Sequence, residues 1–230
     1  MRGAHEEGEV VVMPALACYV AVPVASFRSP RAREYLETLP VPPPATVYGM
    51  LCSAIGEPDR LVHQGAELAV ALLSEPALSR VLRSLWRIKS EKVSPGVKEN
   101  KRPDFQELLT GLRLAVCVRP GERERRPSLA DRLAQALQNP GAVPRFGGLS
   151  LGESTHLVDE LRLLRPDDLA GVEPRWLVLD PDGPLALPLW VDHVGSAGTR
   201  YGQFRLRPGE AAVVEPPQEA WVPVAPPETG

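Results

Sequence analysis

The sequence predicts an α+β protein on three observations. Short apolar stretches of β-forming residues are interleaved with two segments of helical periodicity. The 26 prolines among 230 residues cut the chain into short elements and exclude a helical bundle. A hydrophobic fraction of 43% is enough to bury a core of domain size. The predicted order is strand, helix, strand, strand, helix, strand, followed by a series of shorter strands.

Residues 1–9 read as a polar tail. Residues 15–24 are apolar and β-leaning, a buried strand. Phe27 opens a crossover that passes Arg28, Arg31 and Arg33 and ends in prolines 42–44. Those prolines fix φ and deliver an extended chain to a helix beginning near Thr46. Val47, Met50, Leu51, Ala54 and Ile55 then fall on one helical face. Gly49 inside that helix costs roughly 1 kcal/mol of propensity, which predicts a close neighbour there. Residues 67–73 form a second strand, stopped by Pro76, and residues 81–88 fit strand or helix.

Residues 90–104 are an insertion too polar to be buried and long enough to project. Residues 112–118 alternate as a strand. Ser128 reads as an N-cap to a helix carrying Leu129, Leu133, Ala136 and Leu137, ended by Asn139-Pro140-Gly141. Residues 155–164 return as a strand. This order is the ferredoxin-like pattern. It is also that of the RNA-recognition motif (RRM), whose open sheet face and loops suit single-stranded RNA. The expected division is a core over 1–165 and a small β-rich C-terminal part over 166–230. The latter has apolar runs at 176–179, 187–191 and 211–214 and five prolines from residue 216 onward.

Net charge is −3, which predicts no general attraction to nucleic acid. The charge is unevenly spread. Between Arg80 and Arg132 there are 14 Lys and Arg against 7 Asp and Glu, a local +7, while the remainder carries −10. All four lysines, Lys89, Lys92, Lys98 and Lys101, fall within thirteen positions. A basic segment on an acidic body suits local polyanion binding, although a lone basic run also makes a solvated loop. A second basic patch, Arg119, Arg123, Arg125 and Arg126, is diluted by Glu122 and Glu124. Cys18, Cys52 and Cys117 are widely spaced inside apolar runs, so buried free thiols in a reducing cytoplasm are expected, with no metal site. The acidic N-terminus does not fit a secretory signal and no apolar run reaches membrane-span length, so the expected location is cytoplasmic.

The glycine-rich loop at residues 145–154 carries Arg145, Gly147, Gly148, Gly152 and Ser154. Glycines let backbone N–H groups approach a phosphate without Cβ clash, and Arg145 adds charge. The same loop spells G-x-S-x-G around Ser150, the serine-hydrolase alternative. A nucleophile elbow needs a buried strand before its serine and a helix after it. Residues 140–145 do not read as that strand, and Asp192-His193 completes a triad only with Asp180 or Asp182 as the acid. His5, His63, His156 and His193 show no metal-ligand spacing. No cofactor is expected.

The ordered series F-R-x-P, a proline run, and T-x-Y-G-M-L-x-x-x-x-G-E resembles the CRISPR-associated protein 5 family. The matching residues are Phe27, Arg28, Pro30, Pro42, Pro43, Pro44, Thr46, Tyr48, Gly49, Met50, Leu51, Gly56 and Glu57, and the glycine-rich loop is a second point of likeness. The resemblance implies a subunit of a type I Cascade complex with an RRM-type core and a basic thumb-like β-hairpin at about 89–110. Its implied partners are the CRISPR RNA (crRNA) 5′ handle, Cas7-type backbone subunits, a Cas8-type large subunit and, indirectly, target DNA. The run TVYGMLCSAIGE looks closest to type I-B-like members.

On that reading Arg28, Arg31 and Arg33 meet phosphates, and Phe27 and Tyr48 stack on bases, Phe27 being equally suited to the core. Lys89, Lys92, Lys98, Lys101 and Arg102 make the thumb contacts. One branch of the family cuts its precursor RNA with a Tyr, Lys and His set that finds no matching positions here. The expectation is a non-catalytic binder, with a metal-independent endoribonuclease as the alternative.

Overall fold

The computed structural model describes residues 15–227 except 31, 33, 34, 87, 146, 195, 196 and 211–214. In chain order the elements are β1 (Leu16–Ala25), β2 (Tyr35–Leu36), α1 (Pro44–Ala54), β3 (Glu67–Leu72), β4 (Ala77–Trp86) and β5 (Lys101–Arg119). They continue with α2 (Leu129–Gln138), β6 (Glu160–Leu163), β7 (Arg175–Leu179), β8 (Leu185–Trp190), β9 (Arg200–Pro208) and β10 (Val222–Pro223). The strands join one sheet in the order β6-β1-β5-β3-β7-β9-β8. β10 adds to β3, while β2 and β4 add to β5.

β5 organises this sheet because it has two partners at each end. Its C-terminal half lies antiparallel between β1 and β3, with Leu114 opposite both Val20 and Leu72. Its N-terminal half pairs with β4 from Trp86↔Lys101 to Ala77↔Thr110, forming a long hairpin, and takes β2 in parallel on its other side.

Alternation along the strands sorts the two faces. Cys18, Val20, Val22, Leu68, Val70, Leu72, Leu112, Leu114, Val116 and Val118 meet α1 and α2 in one core. The opposite face carries Tyr19, Ala69, Ala71, Ala115 and Cys117, which are buried under Leu169, Trp176 and Trp221. Its alanines leave room for the tryptophan rings. The open sheet face expected from the order of elements is therefore closed at these positions by the C-terminal segments. Leu177, Leu187 and Phe204 share the first core, and β8 packs on α1.

Several expectations change in detail. Residues 81–86 belong to a strand, β4, and Lys101 to Asp104 are already strand within the polar insertion. Of residues 155–164 only Glu160–Leu163 is strand. β9 carried no strong sequence signal because its Tyr201, Gln203 and Arg205 stand exposed around a single buried Phe204. Ser128 caps α2 as expected: its hydroxyl accepts from Asp131 N at 3.1 Å, and the Asp131 carboxylate accepts from Ser128 N at 3.0 Å. The three cysteines are free and buried. Burial pushes the Cys18 and Cys117 thiols up to about 12 and Cys52 to about 11. No helix among the described residues is long and apolar enough to cross a membrane. The runs at 1–9 and 211–214 lie outside the described residues.

Candidate nucleic-acid interface

α1 supplies one wall of the main cleft. Pro44 occupies its first turn after Pro43, where a missing N–H costs nothing. Val47, Tyr48, Met50 and Leu51 turn inward. Tyr48 is fully buried, and its hydroxyl donates to the Arg60 carbonyl at 2.6 Å. The opposite side of the helix, with Thr46, Gly49 and Ser53, faces a cleft of about 610 Å³. An added Cβ on Gly49 has nothing within 4 Å, so the close neighbour expected there is absent. Gly49 instead leaves helix backbone bare at the cleft wall.

The glycine-rich loop supplies the facing wall through Arg145, Ser150 and Gly152, joined by Val191 and His193 after β8. Gly152 has φ +100, and a Cβ there lies 2.6 Å from the Ser26 carbonyl oxygen and 3.4 Å from the Phe27 ring. Only glycine lets the loop approach the first crossover this closely. His156 completes the contact: Ser26 N donates to its Nδ1 at 3.1 Å, and burial holds the imidazole below its ordinary pKa of 6.5. A smaller hollow of about 270 Å³, lined by Phe27, Arg28, Pro30 and Glu153, shares Thr46, Gly152 and Val191 with the main cleft.

Glu153 links this loop to the hairpin. Its carboxylate accepts from Arg83 of β4 at 3.2 Å and from Gln106 of β5 at 2.8 Å. A single acidic side chain thus fixes the middle of the hairpin against the loop. At the tip of the hairpin, Asn100 is fully buried. Its Oδ1 accepts from Lys89 N (2.7 Å) and Ser90 N (2.9 Å), and its Nδ2 donates to the Ser90 and Val93 carbonyls. The tip is therefore held by one asparagine whose hydrogen-bonding capacity is used on both sides.

The anticipated site residues fall into three groups. Lys89, Lys92, Lys98 and Lys101 are exposed on the hairpin tip. Arg102 is half-buried and paired with Asp104 at 2.7 Å. Arg28, Arg145, Gly147, Gly148, Gly152 and Ser154 are exposed around the hollows and their loop, with Arg28 also donating to the Ala32 carbonyl at 3.4 Å. Phe27 is 3% exposed and Tyr48 wholly buried, so neither ring offers a face to a base; packing against the core claims both. Arg31 and Arg33 lie outside the described residues, as does Phe146 of the loop.

Ser150 forms an isolated bridge to Leu157, with no strand before it and no helix after it, so G-x-S-x-G does not build a nucleophile elbow. The Asp192 carboxylate caps its own turn, accepting from Val194 N and Gly198 N. Glu124 of the second basic patch is buried against His63 Nδ1 at 3.0 Å. Arg119 pairs with Glu67 and lies over the Trp221 ring at 4.3 Å. Arg119 and Glu124 of that patch therefore serve the fold, while Arg123, Arg125 and Arg126 are exposed. Sequence reasoning missed Glu153 and Asn100, whose roles need strands brought together from distant positions. It also missed Trp86, which stands between arginines just before the lysines.

The model for the family described as CRISPR-associated protein (Cas_Cas5) matches residues 15–176. A relative from Myxococcus xanthus (strain DK1622), named CRISPR-associated protein Cas5, is 47% identical over 192 residues, which is 83% of this chain and 89% of the relative. Among solved structures, a chain of a CRISPR RNA-guided surveillance complex superposes with a TM-score of 0.61 at 16% identity, covering 90% of this chain and 96% of that one. A second, described as a Cas protein, gives a TM-score of 0.51 at 18% identity, covering 93% and 100%. The stretch of the family match runs from β1 through the hairpin, the glycine-rich loop and into β7, and the chain belongs to the CRISPR-associated Cas5 family.

Proposed function

We propose that this chain holds the 5′ handle of a CRISPR RNA within a type I Cascade effector, of type I-B-like kind, and does so without cutting it. It caps a backbone of Cas7-type subunits, contacts a Cas8-type large subunit and meets target DNA only indirectly, in the cytoplasm. β1, α1, β3, β5, α2 and β6, in the spatial order β6-β1-β5-β3, constitute on this reading a ferredoxin-like core with the β4–β5 hairpin as its thumb.

The observation that carries the proposal is the Glu153 junction. It joins the glycine-rich loop, between a cleft bearing Arg145 and a smaller hollow bearing Arg28, to a hairpin that carries every lysine of the chain. A groove and a basic finger held at a set angle suit a bent single strand gripped by its phosphates. The apolar flank of the hairpin, with Leu78, Leu82 and Phe105 all more than half exposed, suits a protein neighbour such as a backbone subunit.

The test is a native and a denaturing gel of 5′-labelled repeat RNA with this chain in EDTA. A shift with intact RNA, weakened by salt and by Lys98→Ala with Lys101→Ala, is the expected result. A discrete cleavage product overturns the non-catalytic part of the proposal. Absence of any shift even beside the backbone subunit overturns RNA binding.

A further inference from the structure

We propose that the tip of the β4–β5 hairpin is a stacking platform on which Trp86 holds one base of a single-stranded nucleic acid, flanked by lysines that meet its phosphates. This rests on the RNA-binding reading and adds a residue and a contact type to it.

Four observations converge on the tip. Trp86 is 73% exposed, whereas Trp176, Trp190 and Trp221 are 1%, 6% and 9% exposed. One face of its indole is occupied: a Cβ on Gly96 falls 2.6 Å from Cε2, 2.7 Å from Nε1 and 3.0 Å from Cδ2. Cε2 is a ring-fusion atom, so that approach comes over the plane of the ring. Gly96 has φ +77 and no side chain, and the ring is seated on it with the other face toward solvent. Lys101 stands directly across the strand pair from Trp86, on the same face of the hairpin, and Lys89, Lys92 and Lys98 are exposed in the connecting turn. Asn100 makes the turn a built structure by binding the backbone of Lys89, Ser90 and Val93.

An aromatic face backed by a glycine, with cations around it and a rigid backbone beneath it, is the arrangement that binds bases without sequence preference. The occupant is a polyanion, because the local charge is positive on a chain whose net charge is −3. Every lysine of the protein lies on the same hairpin end as this one exposed indole, Lys101 directly across from it.

The experiment titrates fluorescein-labelled oligouridine 12-mer into the full chain at low salt, reading anisotropy and tryptophan emission together. Because Trp86 is the exposed tryptophan, its quenching reports stacking directly. The expected result is quenching with the wild type and none with Trp86→Leu, together with a roughly 5- to 150-fold weaker affinity that Trp86→Tyr restores. Gly96→Ala, which displaces the ring and leaves the lysines in place, reduces the quenching as well. Equal affinity for wild type and Trp86→Leu without quenching overturns the platform and leaves RNA binding intact. Equal affinity with lost co-purification of the other effector subunits overturns it too, and assigns Trp86 to a protein contact. No binding of the oligouridine by the wild type overturns the platform, while handle binding is decided separately by the repeat-RNA gel run beside the backbone subunit.

Discussion

The two halves of β5 lie in opposite environments although they form one unbroken strand. From Leu114 to Val118 every residue is 0–1% exposed, pressed between helices on one face and tryptophans on the other. From Lys101 to Phe105 the same strand has charged and aromatic residues in solvent, with Phe105 53% exposed. Both stretches are laddered to neighbouring strands, Leu114 to Val118 to two and Lys101 to Asp104 to β4 alone, so strand pairing by itself does not make one core and the other surface. Side-chain burial does. The inner half is stabilised by apolar area removed from water, and the outer half by polar clamps at Glu153 and Asn100. One half anchors the fold, and the other is left free to meet a partner.

The sharpest break of this contrast is a pair of truncations. Leu114→Ala removes wholly buried atoms and should lower the unfolding free energy by about 2–5 kcal/mol in a denaturant titration. Phe105→Ala should stay within about 0.5 kcal/mol of the parent. Similar losses for both would show that the outer half is also part of the core.

Next in size is Gly152→Ala, where positive φ and the 2.6 Å approach to the Ser26 carbonyl combine. It should cost about 1–3 kcal/mol. Gly147→Ala, at φ +71 with open space around its Cβ position, should cost less, about 1 kcal/mol. A reversed order would mean that the loop does not seat against the first crossover.

Asn100→Ala should act locally. It leaves four backbone groups at the tip without their buried partner, a loss of about 1–3 kcal/mol confined to the turn. Limited trypsin digestion should cut at the tip lysines faster while the global denaturation midpoint stays unchanged. A shifted midpoint instead would show that the hairpin and core unfold as one unit.

The smallest effect is one of pH. His156 is neutral when its Nδ1 accepts from Ser26 N, and its folded pKa lies below 6.5. Its contribution is therefore fully present above pH 6.5 and is lost as pH falls through the depressed value, because the unfolded chain takes up the proton first. Stability measured from pH 7 to about 5 should fall less steeply in His156→Gln than in the parent. Equal slopes would remove His156 as the titrating anchor of the loop.

Much of the fold was legible because it is written in local patterns. The Ser128 cap announces itself by a hydroxyl three residues before an acid, and β1 and β3 by continuous apolar runs. β9 escaped because one of its faces is solvent and its inward residues are few. The site was legible in part. Clustered lysines marked the hairpin tip, and the glycines marked the loop. Phe27 and Tyr48 misled because an aromatic in a recognised stretch reads the same whether it packs inward or faces a ligand.

Sequence by itself determined the family, the order of the main strands and helices, and the concentration of positive charge on one insertion, since each rests on residue type and spacing along the chain. Tertiary structure alone decided which aromatics are exposed, that the sheet face opposite the helices is closed by Trp176 and Trp221, and that Glu153 ties the loop to the middle of the hairpin. Those outcomes depend on distant segments meeting in space, 47 and 70 residues apart for the two Glu153 contacts, and no local periodicity records such a meeting.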